Sequence, residues 1–224
     1  MKKLFLTSYF SGAASLFADF TGNTCAGKRV AFIPTASLPE KASFYVSADK
    51  KALAQLGLLI DELEISTASR QEIAGKIACA DYVFVGAGNT FFLLQELKRT
   101  GADKLIRQHI NKGKPYIGSS AGAMIVSKNI EYVKYMDSSA AAKDLHDDFA
   151  ALAIVDFCVV PHFTNFPFQK AAKKIVDLYS AKLDLRPISN NQAVIVLGSE
   201  VKTVTAKSRK WFSFLHDFYE ILRE

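Results

Sequence analysis

The segment PYIGSSAGAMIV, residues 115–126, contains a short apolar run, a turn of small residues and a second apolar run. Its centre has the pattern Gly-x-Ser-x-Gly, with Ser120 as the serine. Between a strand and a helix, this pattern predicts a nucleophile elbow, a sharp turn that lifts a serine out of a sheet. The pattern alone is weak, because glycine-rich turns also bind phosphates or simply allow close packing.

Similar apolar runs lie on both sides of this turn, and segments with helical spacing separate them. Continuous apolar strands between helices are typical of a parallel sheet that is buried on both faces. The sequence therefore predicts an α/β fold, with a doubly wound, mostly parallel sheet flanked by helices. Strands are predicted at residues 3–8, 29–33, 59–65, 82–85 and 115–118, and helices at 13–20, 43–58, 70–77, 90–99 and 103–111.

The pattern changes after about residue 128. Strands are predicted at 157–160, 193–197 and 201–205, with a helix at 168–181 and a hairpin between the last two strands. No linker or repeat indicates a second domain, so residues 1–206 are predicted to form one. Residues 207–224 are predicted to extend it as an amphipathic helix, whose role in domain packing or in a dimer contact stays open.

Composition excludes several classes of protein. The chain has 224 residues and a net charge of +6, but its basic residues are scattered, which disfavours nucleic-acid binding. Cys25, Cys79 and Cys158 form no Cys-x-x-Cys pair or Cys/His cluster, so no metal is expected and a cytoplasmic location is favoured. Cys79 and Cys158 lie in apolar stretches and are expected to be buried. No apolar run approaches the roughly 20 residues of a membrane span.

Two further segments lie where a parallel sheet binds ligands, at the carboxyl ends of its strands. The turn of residues 86–90, GAGNT, has main-chain N–H groups that suit half of an oxyanion hole, with Gly88 allowing close approach. An ordinary turn, with Asn89 or Thr90 capping the next helix, is the alternative.

A serine nucleophile needs a base, and the chain has four histidines. His162 directly follows a predicted strand and Pro161, which places it at the same edge as Ser120. His109 lies within a predicted helix and is expected at the protein surface. His146 lies in a charged stretch, and His216 lies in the terminal segment. His162 is therefore the favoured base.

Three blocks together carry a family resemblance: GAGNTF at 86–91, IGSSAGA at 117–123 and VPHFTN at 160–165. They resemble the peptidase E, or aspartyl dipeptidase, family of serine peptidases, which is related to the cyanophycinases and similar in fold to class I glutamine amidotransferases. The resemblance covers roughly residues 1–206. It implies a monomeric or homodimeric exopeptidase that acts on short peptides, typically dipeptides with an N-terminal aspartate, and needs no metal or other cofactor.

The resemblance also implies roles for individual residues. Ser120 would be the nucleophile and His162 the general base. The main-chain N–H groups of Gly88 and Ala121 would form the oxyanion hole, and Asn89 would help line the site.

Two departures from the family pattern affect these expectations. Asn190 stands at the position of the third, acidic triad member, and Asp137 approximately matches another acidic position near the site. An amide oxygen holds the imidazole tautomer but supplies no charge, and in a reference triad the change from acid to amide costs on the order of 10⁴ in rate. Three outcomes therefore stay open: activity is retained, weakened or dependent on another carboxylate. For Asp137 a simple turn-forming role is the alternative.

The second departure concerns specificity. Residues 166–170, FPFQK, lack the arginine that the family uses to select aspartate. Thr164 and Lys170 are predicted to contact substrate, but a lysine offers a point charge rather than the bidentate fork of arginine. Aspartyl specificity is therefore not expected.

Three functions stay open, with a serine peptidase acting on short peptides as the leading hypothesis. Asn190 motivates the second, a catalytically weak or inactive relative that binds a peptide or small ligand. The elbow alone motivates the third, an α/β-hydrolase esterase, but His162 follows Ser120 by only 42 residues, less than is usual in that fold.

Overall fold

The structure is a computed structural model that describes residues 1–207. The predicted terminal helix therefore lies, except for Lys207, outside the described residues. The strands are β1 (Lys3–Thr7), β2 (Arg29–Ile33), β3 (Leu59–Glu62), β4 (Tyr82–Val85), β5 (Tyr116–Ser119), β6 (Cys158–Val160), β7 (Leu185–Pro187), β8 (Gln192–Leu197) and β9 (Glu200–Thr205). The helices are α1 (Phe10–Phe20), α2 (Phe44–Gln55), α3 (Arg70–Cys79), α4 (Thr90–Thr100), α5 (Ala102–Asn111), α6 (Ala121–Met124) and α7 (Gln169–Tyr179).

Seven strands form the main sheet, in the order β3-β2-β4-β5-β1-β8-β9. The first five run parallel, and β8 and β9 add an antiparallel hairpin beside β1. The predicted doubly wound, mostly parallel α/β fold is therefore confirmed. The short strands β6 and β7 lie outside this sheet and pair in parallel with each other.

The inner strands of the main sheet are buried on both faces, which explains their continuous apolar sequences, whereas the edge strand β3 is partly exposed and the edge strand β9 largely exposed. Successive side chains of a strand point to opposite faces. Leu4 and Leu6 of β1 accordingly join one core, while Phe5 joins a second core rich in phenylalanine. In the second core the rings of Phe32 and Phe84 stack with their centroids 4.8 Å apart.

Several element boundaries differ from the sequence-based expectation. Helix α1 begins at Phe10 rather than residue 13, and β3 ends at Glu62 rather than residue 65. Strand β7 was not expected, because it is only three residues long and ends in proline, which is disfavoured within strands. Cys158 is buried as expected, but Cys79, the last residue of α3, is exposed. No helix within residues 1–207 has the length and apolar character to cross a bilayer.

Candidate active site

Ser120 lies in the turn between β5 and α6, at the carboxyl edge of the main sheet. Its backbone has φ 49° and ψ −104°, a conformation that L-residues rarely adopt. Such strain persists where surrounding contacts hold it, and it clusters at functional sites. Here the Ser120 N–H donates to the carbonyl of Thr7 over 2.9 Å, and the residue as a whole is 8% exposed. The predicted nucleophile elbow is therefore present.

Close backbone packing explains the second glycine of the elbow motif. A Cβ atom on Gly122 would lie 2.0 Å from the carbonyl oxygen of Val85, so only glycine fits. The Gly122 N–H also donates to the carbonyl of Gly86 over 3.2 Å. This hydrogen bond joins the elbow to the turn of residues 86–90.

His162 lies between Ser120 and Asn190. Its Nε2 atom is 3.1 Å from Oγ of Ser120, and its Nδ1 atom is 2.6 Å from Oδ1 of Asn190. In the neutral ring whose Nδ1–H donates to Asn190, Nε2 is free to accept the Ser120 hydroxyl proton. A nucleophile, a base and a group that orients the base are thus connected in the order that nucleophilic catalysis requires.

Asn165, which sequence reasoning left without a role, links the segments that carry His162 and Asn190. Its N–H donates to the carbonyl of His162 over 3.0 Å, and its Oδ1 accepts the N–H of Asn190 over 2.8 Å. The first contact is local to the turn of residues 162–165, whereas the second reaches a segment 25 positions further along the chain. The block HFTN contained a signal for this residue, since asparagine commonly bonds to nearby main chain in turns.

Burial sets the protonation state of His162. Its pKa is lowered from the usual value because desolvation disfavours the imidazolium, and the hydrogen bond with Asn190 offsets part of this effect. The ring of Phe168 contributes to the cover, with its centroid 5.2 Å from that of the imidazole. His162 is therefore in its neutral, proton-accepting form at pH 7.

Gly88 and Ala121 offer main-chain donors beside the elbow. Gly88 has φ 132°, and a Cβ atom there would lie 2.1 Å from the carbonyl oxygen of Ala36, so glycine is required. Within residues 1–207, the N–H groups of Gly88 and Ala121 donate no hydrogen bond, whereas the N–H of Asn89 donates to Ala36 over 2.8 Å. Two N–H groups are therefore free to bind an oxyanion.

Asn89 and Asp137 stabilise this turn. The Oδ1 atom of Asn89 caps α4 by accepting the N–H of Phe92 over 2.9 Å, and its Nδ2 donates to the carbonyl of Ser138 over 2.9 Å. Oδ2 of Asp137 accepts from the N–H and hydroxyl of Thr90, over 2.8 and 2.6 Å. Burial raises the pKa of Asp137 to about 6. In this structure Asn190, and not Asp137, bonds Nδ1 of His162.

Thr164 lies on the loop that follows His162, and Lys170 lies farther along the chain, in α7. Both are exposed, and the Thr164 hydroxyl is 2.6 Å from Oγ of Ser189. Lys170 lies in the first turn of α7. Their roles in substrate binding stay predictions.

His109 does not lie where the sequence suggested. It is 3% exposed, and its Nε2 atom is 3.0 Å from the carbonyl oxygen of Pro115, because its face of α5 packs against the approach to β5. Desolvation in this position lowers its pKa to about 4. The expectation of a surface position was wrong. Within residues 1–207, no group of three or more His, Cys, Asp or Glu side chains is placed to hold a metal ion.

Asp49 is a buried acid near the site that sequence reasoning missed. Its Oδ1 accepts the N–H of Ser11 over 3.1 Å, and its carboxyl group also bonds the side chain of Ser119, beside the nucleophile. Burial raises the pKa of Asp49 to about 7, although these hydrogen bonds oppose the shift. In sequence Asp49 stands beside two lysines in a helix, where an aspartate is usually exposed.

Comparison with known proteins supports the same assignment. The model of peptidase family S51 matches residues 4–204. An uncharacterized peptidase of Pasteurella multocida is 56% identical over 204 residues, covering 91% of this chain and 97% of that protein. Peptidase E of Shewanella denitrificans is 33% identical over 160 residues, covering 71% of this chain and 63% of that protein.

A solved structure gives the same result for the fold. It is the crystal structure of a Listeria monocytogenes protein provisionally assigned as peptidase E, with a TM-score of 0.88 and 50% identity. The match covers 92% of this chain and all of that one. With Ser120 in an elbow and His162 within hydrogen-bond distance of it, these matches establish that the chain is a peptidase and belongs to peptidase family S51.

Proposed function

We propose that this peptidase is of the serine type and hydrolyses short peptides, in the manner of a dipeptidase or exopeptidase, through an acyl-enzyme on Ser120. The observation that carries the proposal is the continuous set of hydrogen bonds from Ser120 through His162 to Asn190. A strained serine backbone and a neutral, partly buried imidazole support the same assignment.

The geometry suits a two-step acyl transfer. His162 Nε2 removes the hydroxyl proton as Oγ of Ser120 attacks the peptide carbonyl. The oxyanion that forms accepts hydrogen bonds from the N–H groups of Gly88 and Ala121. The imidazolium then gives its proton to the leaving amine, and water activated by the same imidazole releases the acyl group from Ser120.

Asn190 determines how efficient this base can be. Its Oδ1 faces Nδ1 of His162, so it holds the tautomer in which Nε2 accepts a proton. The loss of about 10⁴ seen in the reference triad arises because its asparagine imposes the wrong tautomer. With the amide oxygen facing the ring, only the missing charge slows the reaction. Asn190 therefore supports a slower peptidase rather than an inactive relative.

The surroundings of His162 bear on the substrate. Phe168 lies against the imidazole that would protonate the leaving amine. Phe166 and Phe168 are exposed on the loop that follows His162, and Lys170 is exposed in the first turn of α7; residues 163–170 contain no arginine. An apolar residue on the leaving side suits this surface. The family's preferred N-terminal aspartate would lie on the acyl side, and this segment offers no arginine to select it.

A library of dipeptides and tripeptides, analysed by mass spectrometry, tests the proposal. The wild-type protein should cleave a subset of the library, and Ser120→Ala should cleave none while keeping its fold. Ser127→Ala should behave as wild type, since Ser127 is a buried serine whose hydroxyl donates to the main-chain carbonyls of Met124 and Asn129. Binding without turnover would favour the ligand-binding alternative, and faster turnover of short-chain esters would favour an esterase.

A further inference from the structure

The end of β1 lies between the segments that carry the nucleophile and the base. The carbonyl of Thr7 accepts the N–H of Ser120 over 2.9 Å. The next residue, Ser8, has a hydroxyl that accepts the N–H of His162 over 3.0 Å and donates to the carbonyl of Ile188 over 2.8 Å. Two consecutive residues thus hold the backbones of Ser120 and His162.

The main chain of His162 needs this partner because it leaves the pairing between β6 and β7. That pairing continues past the strands: the N–H of Ile188 donates to Val160 over 3.0 Å, and the N–H of Phe163 donates to Ile188 over 3.1 Å. His162 has φ 60°, a left-handed conformation that turns its N–H out of the ladder. The Ser8 hydroxyl takes the place of the missing strand partner.

We propose that Ser8 is a positioning residue that holds the imidazole of His162 in reach of Ser120; this inference rests on the proposed function. Ser8 is 1% exposed, so water cannot readily replace its hydroxyl. In Ser8→Ala the N–H of His162 loses its partner inside the protein. The smallest change that gives this N–H a new partner is a rotation of the His162 backbone, and that rotation moves the ring.

Position matters because the base lies in a different sheet from the nucleophile. Ser120 follows β5 of the main sheet, whereas His162 follows β6 of the two-stranded sheet. The 3.1 Å separation of Oγ and Nε2 therefore depends on contacts between the sheets. A displacement of about 1 Å at a catalytic group can cost on the order of 100-fold in rate.

The experiment measures the maximal rate constant with which a fluorophosphonate probe labels Ser120, separately from probe binding. Ser8→Ala should lower that rate constant by roughly 10-fold or more without weakening probe binding. Ser127→Ala is the matched control, because Ser127 is also 1% exposed and bonds two main-chain carbonyls, at 2.9 and 3.1 Å. It should lose comparable thermal stability and label at the wild-type rate.

A double-mutant comparison separates positioning of the base from a general structural role. If Ser8 acts through His162, Ser8→Ala should slow labelling in the wild-type background and have no effect on the residual labelling of His162→Ala. Further slowing in the His162→Ala background would overturn the proposal, because it would place the effect on the elbow through Thr7. Equal slowing by Ser8→Ala and Ser127→Ala would also overturn it.

The failure of this inference is distinguishable from the failure of the proposed function. If wild type is labelled at Ser120 and folded Ser8→Ala is labelled at the same rate, the role of Ser8 is wrong and the peptidase mechanism stands. If folded wild type is not labelled at all, the proposed mechanism and the role of Ser8 are both overturned.

Discussion

Nδ1 of His162 lies 2.6 Å from the amide oxygen of Asn190, at a position where a serine hydrolase usually has a carboxylate. The amide oxygen accepts the ring N–H and selects the tautomer that can act as a base. It supplies no negative charge, so the imidazolium formed during catalysis is less stabilised. The chemistry of the site therefore depends on correct orientation and burial more than on charge.

Replacing Asn190 tests this division between orientation and charge. In Asn190→Asp the carboxylate should raise the pKa of His162, because an opposite charge favours the imidazolium. Wild-type His162 has a lowered pKa, so its labelling by a fluorophosphonate should begin at lower pH than that of the variant. At high pH the variant should be faster by roughly 10-fold or more, since charge is added to correct orientation.

Asn190→Ala is the companion variant. It removes the acceptor for Nδ1–H, so the tautomer is no longer selected and labelling should slow at every pH. The measurement is the labelling rate constant from about pH 5 to about pH 9, the range in which histidine titrates. A pH profile for Asn190→Asp that overlays the wild-type profile would contradict the assigned role of Asn190.

Gly12 in α1 supports Asn190 by allowing close packing. A Cβ atom on Gly12 would lie 2.4 Å from the carbonyl oxygen of Asn190, so Gly12→Ala should displace that turn. We expect slower labelling of Ser120 and a loss of about 1–3 kcal/mol of unfolding free energy through overpacking. Both are measurable on one purified variant, by probe kinetics and by urea denaturation.

Gly75→Ala in α3 is the matched control. A Cβ atom on Gly75 meets nothing within 4 Å among the described residues. The variant should gain about 1 kcal/mol of stability from helix propensity and label at the wild-type rate. Wild-type labelling by Gly12→Ala would mean that this contact does not position Asn190.

Asp49 should make stability dependent on pH. Its carboxyl pKa is raised by burial from 3.8 to about 7, so the folded state binds a proton that the unfolded state releases. The stability that this bound proton contributes is fully present below about pH 4 and is lost as the pH rises through about 7. In wild type this loss is a decline in unfolding free energy on the order of a few kcal/mol across this pH range. Asp49→Asn should lack that decline when its stability is measured by urea denaturation. The exposed-site variant Asp19→Asn should retain the wild-type decline; parallel curves for Asp49→Asn and wild type would refute the assignment.

Phe168 should affect both the base and the leaving residue. Phe168→Ala uncovers the imidazole of His162, so its pKa should rise toward the ordinary value as desolvation weakens. The kcat/KM for peptides with an apolar leaving residue should fall by roughly 10-fold, with less change for polar ones. Leu178→Ala removes an exposed apolar side chain from α7, the helix that begins directly after Phe168, and should change neither quantity. An equal loss for apolar and polar peptides would exclude a role in specificity.

The sequence alone was sufficient for most of the fold and for selecting Ser120 and His162, which the structure places side by side, as the candidate nucleophile and base. Continuous apolar strands indicate a parallel sheet, and the carboxyl ends of such strands meet at one edge, which places Ser120 there. His162 was predicted at the same edge, although β6 turned out to belong to a separate small sheet. The motif residues could be recognised in the sequence because the local backbone geometry requires their glycines.

The supporting residues could not be predicted in this way. Ser8 and His162 are 154 positions apart, and no local pattern links them. Asp49 resembles an exposed helical aspartate until α1 and the elbow pack over it. Asn190 was located through the family resemblance, because an asparagine in a turn carries no catalytic signal of its own.

The most direct test of the account is fluorophosphonate labelling of folded wild-type protein at pH 7, with the modified residue identified by peptide mass mapping. If Ser120 is the nucleophile and His162 its base, wild type should carry a single adduct on Ser120 and Ser120→Ala should carry none. Labelling of His162→Ala should be slowed by at least about 10³-fold. A wild-type protein that is folded but unlabelled would contradict it, as would an adduct that persists in Ser120→Ala.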